Sequence, residues 1–333
     1  MNRLLRVELD RFASRTLIRL GVIGVLVVCC LALVSAWSTA SPPSQAELDQ
    51  ARVYFEQSRA DWEENGEQYV ADCRAQEEAD KETADDPGMI DYGCDQMQAP
   101  QLADWMGGAP SFERDTAVLL TSVSILFVLA SLLLAGSFVS AEFSTGSIGN
   151  WLTFAPRRVQ VYLSKVLAAA LAIIPVAAVG VGIVLGGSWL VYRYFDTLGE
   201  ASAGPGSGSP VETALRLVAL TPVVAVVGAA LGFLARHTAA VLGVVVGWVV
   251  LVEALLVGRV QELRPWTMAL NVSAWVQGGA PYYTQTCTTT ATGRSCEGVE
   301  HVLSQTHGGL YLLVAAAVVA GAALLVFRWR DVS

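Results

Sequence analysis

Histidine, the side chain most often used as a general base and as a metal ligand, is rare in this chain. Its three histidines are His237, His301 and His307. Glu300 with His301 and His307 could ligate a metal, but no second cluster of ligands completes such a site, so we interpret them as solvated residues near a membrane surface. The P-loop signature Gly-Lys-Ser/Thr, the zinc-protease pattern His-Glu-x-x-His and the nucleophile elbow Gly-x-Ser-x-Gly do not occur in the sequence. We therefore predict no catalytic residues, no metal and no bound cofactor in this chain.

A segment at residues 141–164, between two apolar runs, carries the most informative pattern. Its notable residues are Glu142, Thr145, Gly146, Trp151, Leu152, Phe154, Pro156, Arg157 and Arg158. A Thr-Gly sequence can begin a short helix, Pro156 would end it, and Arg157 and Arg158 would hold that end at anionic lipid headgroups. A solvated loop without a binding role would not need the apolar residues between them. Exposed apolar side chains indicate a surface that binds a partner. The alternative is an ordinary interfacial turn buried against the chain's own spans.

The elements that must position this segment are membrane-spanning helices. Of the 333 residues, 53% are hydrophobic and 15% are charged, whereas soluble domains carry about 25% charged residues. Apolar runs of about 20 residues can cross a bilayer, and lipid requires them to be helical. The predicted spans cover roughly 17–37, 117–140, 165–192, 213–235, 239–258 and 308–328. We predict an all-α membrane protein with a six-helix transmembrane bundle, helices two to six lying within 116–333.

No basic stripe lies outside the membrane-flanking segments, which argues against nucleic-acid binding.

Residues 1–16 form a lead-in to the first predicted span. Leu5, Leu9 and Phe12 recur at helical spacing among arginines, which predicts an amphipathic helix in the membrane interface. A cleaved signal peptide is the alternative, because small residues follow the first apolar run at 35–40. We favour retention, since the lead-in is longer than a signal sequence needs.

Arginines indicate how the bundle is oriented. With the N-terminus inside, the inner segments hold nine arginines and four acidic residues, a bias typical of cytoplasmic loops. These inner segments are 1–16, 141–164, 235–238 and 328–333. We therefore predict a multi-pass protein of the plasma membrane with both termini cytoplasmic and with outer segments at 38–115 and 259–307.

The acidic outer segment 38–115 is predicted to be a mainly helical extracytoplasmic insertion. Leu48, Phe55, Trp62 and Tyr69 recur every seven residues, which places them on one face of a helix. We interpret this stripe as packing within the insertion; a surface for a partner or substrate is the alternative.

Four of the six cysteines lie in pairs in the outer segments, and the other two, Cys29 and Cys30, lie inside the first predicted span. Cys73 and Cys94 lie in the first outer segment, and Cys287 and Cys296 in the second. Even numbers in an oxidising compartment predict two disulfides, Cys73–Cys94 and Cys287–Cys296. Four free thiols are the alternative.

One acidic residue, Glu253, falls within the fifth predicted span. A charge there costs about 2.5–3.5 kcal/mol and usually faces protein or a water path. Glu253 could line a translocation pathway or be a protonated residue bonded to a neighbouring helix, and the sequence leaves both open. Three Gly-x-x-x-Gly patterns, beginning at Gly182, Gly228 and Gly243, indicate close helix packing.

The 141–164 segment resembles that of permease subunits of ABC exporters of the ABC-2 type. Between their second and third spans these proteins carry Glu, Thr-Gly or Gly-Thr, Leu, Pro-x-Arg and Lys. The corresponding residues here are Glu142, Thr145, Gly146, Leu152, Pro156, Arg157, Arg158 and Lys165. The opening residues 4–12 and the closing residues 327–332 are also similar to the family's interfacial helix and C-terminus, and the insertion is similar to that of some high-GC Gram-positive members.

The resemblance implies a permease subunit without ATPase activity of its own. It would pair with a second permease copy or homologue and dock on a separate cytoplasmic ABC ATPase, which binds ATP and Mg. Residues 142–158 would be the coupling element, and substrate would pass between the two permeases. A different class remains open: a membrane-anchored sensor or assembly protein whose extracytoplasmic domain binds a ligand. An intramembrane enzyme is disfavoured, because polar residues within the spans are few.

Overall fold

A computed structural model of the chain describes residues 2–83, 90–105, 110–149, 157–198, 209–290 and 293–330. Within these ranges, six helices are long and apolar enough to cross a membrane. From first to sixth span they are Thr16–Ala40, Phe112–Ser144, Arg158–Tyr194, Pro210–Ala235, Thr238–Leu256 and Gln305–Trp329. The predicted all-α membrane bundle is confirmed.

A separate N-terminal helix, Asn2–Ser14, precedes the first span and packs against the third. It lies at the same end of the bundle as the start of the third span and the end of the sixth. We call this end the N-terminal face and the other end the opposite face. Phe12 of the N-terminal helix is 3% exposed and joins the main hydrophobic core. The helix is therefore fixed to the bundle as well as amphipathic.

Several spans are longer than the sequence predicts. The third span begins at Arg158 rather than near residue 165, and the second continues to Ser144. Val161 and Tyr162, in the added turn of the third span, are 1% and 2% exposed. Hydropathy marks only the part of a helix that lies in lipid, whereas packing against neighbouring helices extends it beyond that part.

The closest helix approach joins the second and fourth spans at two glycines. A Cβ atom added at Gly228 would collide with the backbone of Leu132, and one at Gly232 would lie 2.7 Å from the carbonyl oxygen of Gly136. One of the three glycine patterns thus packs two spans of this chain together, as small residues do in membranes. The other two, at Gly182 and Gly243, face open space.

A hairpin between the fifth and sixth spans was not predicted. The chain passes through a short helix, Met268–Gln277, into antiparallel strands β1 (Gly279–Thr290) and β2 (Gly293–Ser304). The strand register makes Cys287 and Cys296 direct Cα partners. This alignment brings the two backbones together as the predicted disulfide requires; the bond itself stays a prediction.

Residues Ser41–Pro110 form a second compact unit. Its main element is one helix of 39 residues, Gln45–Thr83. Ser44 and Glu47 start this helix with reciprocal bonds between side chain and backbone, 3.3 Å to the Glu47 amide and 2.7 Å to the Ser44 amide.

The disulfide Cys73–Cys94 is confirmed and ties a turn at Cys94–Gln96 to this long helix. The predicted apolar stripe is only half covered. Leu48, Phe55 and Trp62 are partly buried, while Tyr69 is 40% exposed.

Candidate functional site

A cluster of buried charges lies at the N-terminal face of the bundle. Lys165 is fully buried, and its ammonium donates to both carboxylate oxygens of Glu8 at 3.0 and 2.9 Å. Glu142 Oε2 lies 2.5 Å from the same nitrogen, close enough for an ion pair but not aligned for a hydrogen bond. Glu8 and Glu142 are 1% and 2% exposed. One lysine therefore joins the N-terminal helix, the end of the second span and the start of the third.

Two arginines complete this group, which we call the ion cluster (Glu8, Arg11, Arg15, Glu142 and Lys165). Arg15 donates to Glu142 Oε1 at 3.1 Å and to the carbonyl oxygen of Phe138 at 2.7 Å. Arg11 lies 3.8 Å from the same carboxylate oxygen and is more exposed. Glu142 thus contacts three cations. This one carboxylate therefore ties the end of the second span to the N-terminal helix, to Arg15 just before the first span, and to the third span.

The ring of Phe138 closes one side of the ion cluster. The Arg15 guanidinium lies 5.1 Å and the Lys165 ammonium 5.4 Å from the ring centroid, both within cation–π range. Phe12 packs edge-on against the same ring at 5.2 Å. Two aromatic rings therefore pack against the buried side of the ion cluster. Buried charges seldom add net stability, because desolvation costs several kcal/mol per ion, but losing one partner is costly.

Thr145 and Gly146 end the second span instead of beginning a helix. Thr145 is the C-cap, and its hydroxyl donates to the carbonyl oxygen of Ala141 at 2.9 Å. Gly146 has φ +68°, the left-handed conformation that commonly terminates helices. Residues 147–149 then return to helix, and Ile148 is 1% exposed. The interpretation of Thr-Gly as a helix start is corrected: the pair terminates one helix, and the next begins directly after it.

Arg158 holds the other end of the segment. Its Nη1 lies 3.3, 3.3 and 2.9 Å from the carbonyl oxygens of Phe327, Arg328 and Arg330. The last carbonyls of a helix lack partners within it and attract cations. Arg158 therefore caps the sixth span, whereas the sequence suggested a lipid headgroup as its partner. Arg157 is the N-cap residue of the third span.

The remaining members of the predicted coupling segment lie outside the described residues. They are Trp151, Leu152, Phe154 and Pro156. The structure thus places the two ends of the segment, and the apolar centre stays a prediction.

Glu253 lies in a π-helical stretch, Val249–Leu256, of the fifth span. Its carboxylate accepts hydrogen bonds from the backbone amides of Met268 and Ala269 at 2.7 and 3.4 Å and from the indole of Trp248 at 3.2 Å. An acidic group at a helix N-terminus satisfies amides that the helix leaves unpaired. This contact agrees with the helix-bonded alternative for Glu253; its role in a pathway stays a prediction.

Sequence reasoning missed the ion cluster, although one signal was present. Glu8, Phe12 and Arg15 are four and three positions apart, a spacing that would place them on one face of a helix. A charge on the same face as a large aromatic residue indicates burial with a partner. The partner, Lys165, is 157 positions from Glu8 in the sequence, and no local pattern specifies such a contact.

The described residues include no group of three or more His, Cys, Asp or Glu side chains placed to hold a metal ion. Comparison with models of protein families, with curated proteins and with solved structures finds no match. What the chain does must therefore be inferred from the arrangement of its own residues.

Proposed function

We propose that this chain is the transmembrane permease subunit of an ATP-driven ABC exporter. It would move an unidentified substrate across the plasma membrane, using a separate ATPase subunit that binds ATP and Mg. The ion cluster is the observation that carries this proposal. Glu142 and Lys165, two residues of the family resemblance, meet there with Glu8 of the N-terminal helix, in a contact that spans three elements.

The fixed ends of the 142–158 segment suit a coupling role. Glu142 connects it to the N-terminal helix and the third span, and Arg158 connects it to the end of the sixth span. A displacement imposed on the segment would therefore be passed to several membrane helices at once. Packed elements with good charge complementarity transmit displacement because they resist continuous deformation.

The orientation of the proposed exporter follows from the arginines at the N-terminal face. Arg236, between the fourth and fifth spans, has a pKa lowered by burial and by the nearby charges of Arg330 and Arg158. Several cations therefore crowd this face. Such crowding is typical of the cytoplasmic side, where an ATPase would dock.

Pairing with a second copy or homologue is supported by the fifth span. Only 6% of its apolar stretch is buried. Gly243 and Gly247 lie on this span with nothing within 4 Å of an added Cβ. A helix of this kind can approach another helix closely in a membrane.

Copurification with an ABC ATPase tests the proposal. The full-length chain would be coexpressed with each ABC ATPase of its own genome, and ATP hydrolysis measured in proteoliposomes. The combined variant Trp151→Ala, Leu152→Ala and Phe154→Ala should lose the association or uncouple hydrolysis, since aromatic residues at interface centres contribute about 2 kcal/mol or more.

Trp189→Ala provides the matched control, because this tryptophan is exposed and lies toward the opposite face. It should leave association and hydrolysis unchanged. If no ATPase binds the native chain, or if the triple variant behaves like the control, the coupling role is wrong. Specific ligand binding by the 41–110 unit with no ATPase partner would instead favour the sensor alternative.

A further inference from the structure

A polar cleft lies between the first three spans, near the ends that reach the opposite face. Its volume is about 210 Å³. Hydroxyl side chains from all three spans line it: Ser35, Thr39, Thr116, Ser122 and Ser188. Trp37 stacks against Tyr194 nearby, with ring centroids 5.5 Å apart. Such aromatic pairs are typical of the membrane–water interface, which places the cleft at the depth of lipid headgroups.

Two of the hydroxyl groups lack a hydrogen-bond partner in the part of the chain that the structure describes. They are Thr116 Oγ1 and Ser188 Oγ, on side chains that are 1% and 0% exposed. Buried polar atoms are nearly always paired in proteins. Both residues line the cleft, so a molecule that fills it would supply the missing partners.

The charged wall of the cleft is formed by Arg114 and Asp115. Asp115 accepts hydrogen bonds from the Ser111 amide at 2.9 Å, the Tyr192 hydroxyl at 3.0 Å and Arg114 Nε at 2.9 Å. Its carboxylate is thus engaged by donors of the protein. The Arg114 side chain is 51% exposed, and its planar group of N–H donors suits a phosphate.

From the wall of the cleft, where Val118 lies, toward the centre of the membrane, the first two spans expose apolar side chains. Leu31 and Val34 of the first span are 61% and 64% exposed, and Val118 and Ile125 of the second are 61% and 60% exposed. Hydroxyl groups and a guanidinium therefore lie above an apolar track. A ligand that matches both parts carries a polar, acceptor-rich end and a hydrocarbon tail.

We propose that this cleft binds the phosphate and glycerol-ester region of one phospholipid from the leaflet at the opposite face. The ester and phosphate oxygens accept hydrogen bonds from Thr116 and Ser188, and the phosphate lies beside Arg114. The acyl chains follow Val118 and Ile125 into the membrane. This site requires only that the spans lie in a bilayer, so it stands whether or not the chain is a permease.

Native mass spectrometry of the delipidated full-length protein, titrated with phosphatidylglycerol, tests the site. The double variant Thr116→Val with Ser188→Ala removes the two hydroxyl groups while nearly preserving shape. Its affinity for one tightly bound lipid should fall about tenfold, as expected for two lost hydrogen bonds. The matched control is Thr221→Val with Ser131→Ala, which removes two buried hydroxyl groups that do not line the cleft. Its affinity should equal that of the native chain.

Two further measurements complete the test. One covers the case in which the double variant does not fold, and the other distinguishes a lipid from a soluble ligand. Ser122→Trp adds bulk at the exposed rim of the cleft, so it should also weaken lipid binding even if the buried double variant fails to fold. Glycerol 3-phosphate, the soluble counterpart, should bind far more weakly than the lipid. Unchanged lipid affinity in the double variant and in Ser122→Trp would overturn the proposal. So would glycerol 3-phosphate binding as tightly as the lipid, since the cleft would then hold a soluble molecule.

Discussion

Replacing Lys165 with methionine would remove the ammonium that joins Glu8 and Glu142. Glu142 would keep Arg15 at 3.1 Å and Arg11 at 3.8 Å. Glu8, which is 1% exposed, would lose the one ion-pair partner it has among the described residues. Breaking a buried pair from one side costs about 3–5 kcal/mol, because a desolvated charge is left without compensation. We expect Lys165→Met to lower the free energy of unfolding by about that amount.

A second substitution separates this explanation from simple loss of packing. Glu8→Gln removes the stranded charge, so adding it to Lys165→Met should restore about half of the lost stability or more, since a neutral amide costs less to bury than a carboxylate. Unfolding would be followed by circular dichroism during titration of mixed micelles with dodecyl sulfate. Arg59→Met provides the control: its pair with Glu63 is more than half exposed, and such pairs contribute at most about 1 kcal/mol.

The result that would refute this reasoning is additivity. If the double variant is as unstable as the sum of the two single variants, within about 0.5 kcal/mol, Glu8 and Lys165 do not interact energetically. The pair Glu8–Lys165 would then have no bearing on how the N-terminal helix is held.

Three other predictions follow from the orientation and the opposite face. In a background without Cys29 and Cys30, an impermeant thiol reagent applied to intact cells should label Ala60→Cys but should label Asn150→Cys only after permeabilisation; the reverse pattern would contradict the proposed orientation. Peptide mapping without reductant should recover Cys287 linked to Cys296, a bridge that stabilises by about 3 kcal/mol, and free thiols at both would rule it out. Glu253→Ala should destabilise the protein by about 1–2 kcal/mol through the lost cap, measured by the same micelle titration, and no change would show that the cap is unimportant.

Hydropathy alone predicted the six spans because lipid leaves few alternatives for an apolar run. The Cys73–Cys94 bridge was predictable for a similar reason. Two cysteines in one segment of an oxidising compartment have few alternatives to pairing with each other. The hairpin was missed although a signal existed: Tyr282 and Tyr283 lead into a threonine-rich run, and both residue types favour strands.

The candidate site was predictable only in part. The sequence pattern indicates Glu142 and Arg158 but not the residues that they contact. The partners come from elements far away in the chain, such as Glu8 for Lys165 and the sixth-span carbonyls for Arg158. The role of Thr145 and Gly146 is also ambiguous from the sequence. The same pair can end one helix or begin the next, and only the structure shows that it ends the second span.

The distance along the chain between Glu8 and Lys165 has a consequence for synthesis. Ribosomes add about 5–20 residues per second, so the 157 intervening positions take roughly 8–30 s. During that interval Glu8 lacks its partner Lys165, so the N-terminal helix cannot complete its packing. Its docking therefore marks the insertion of the third span. A nascent chain that stops short of Lys165 should still expose its first helix to protease, which would let the cell recognise an unfinished bundle by its first residues.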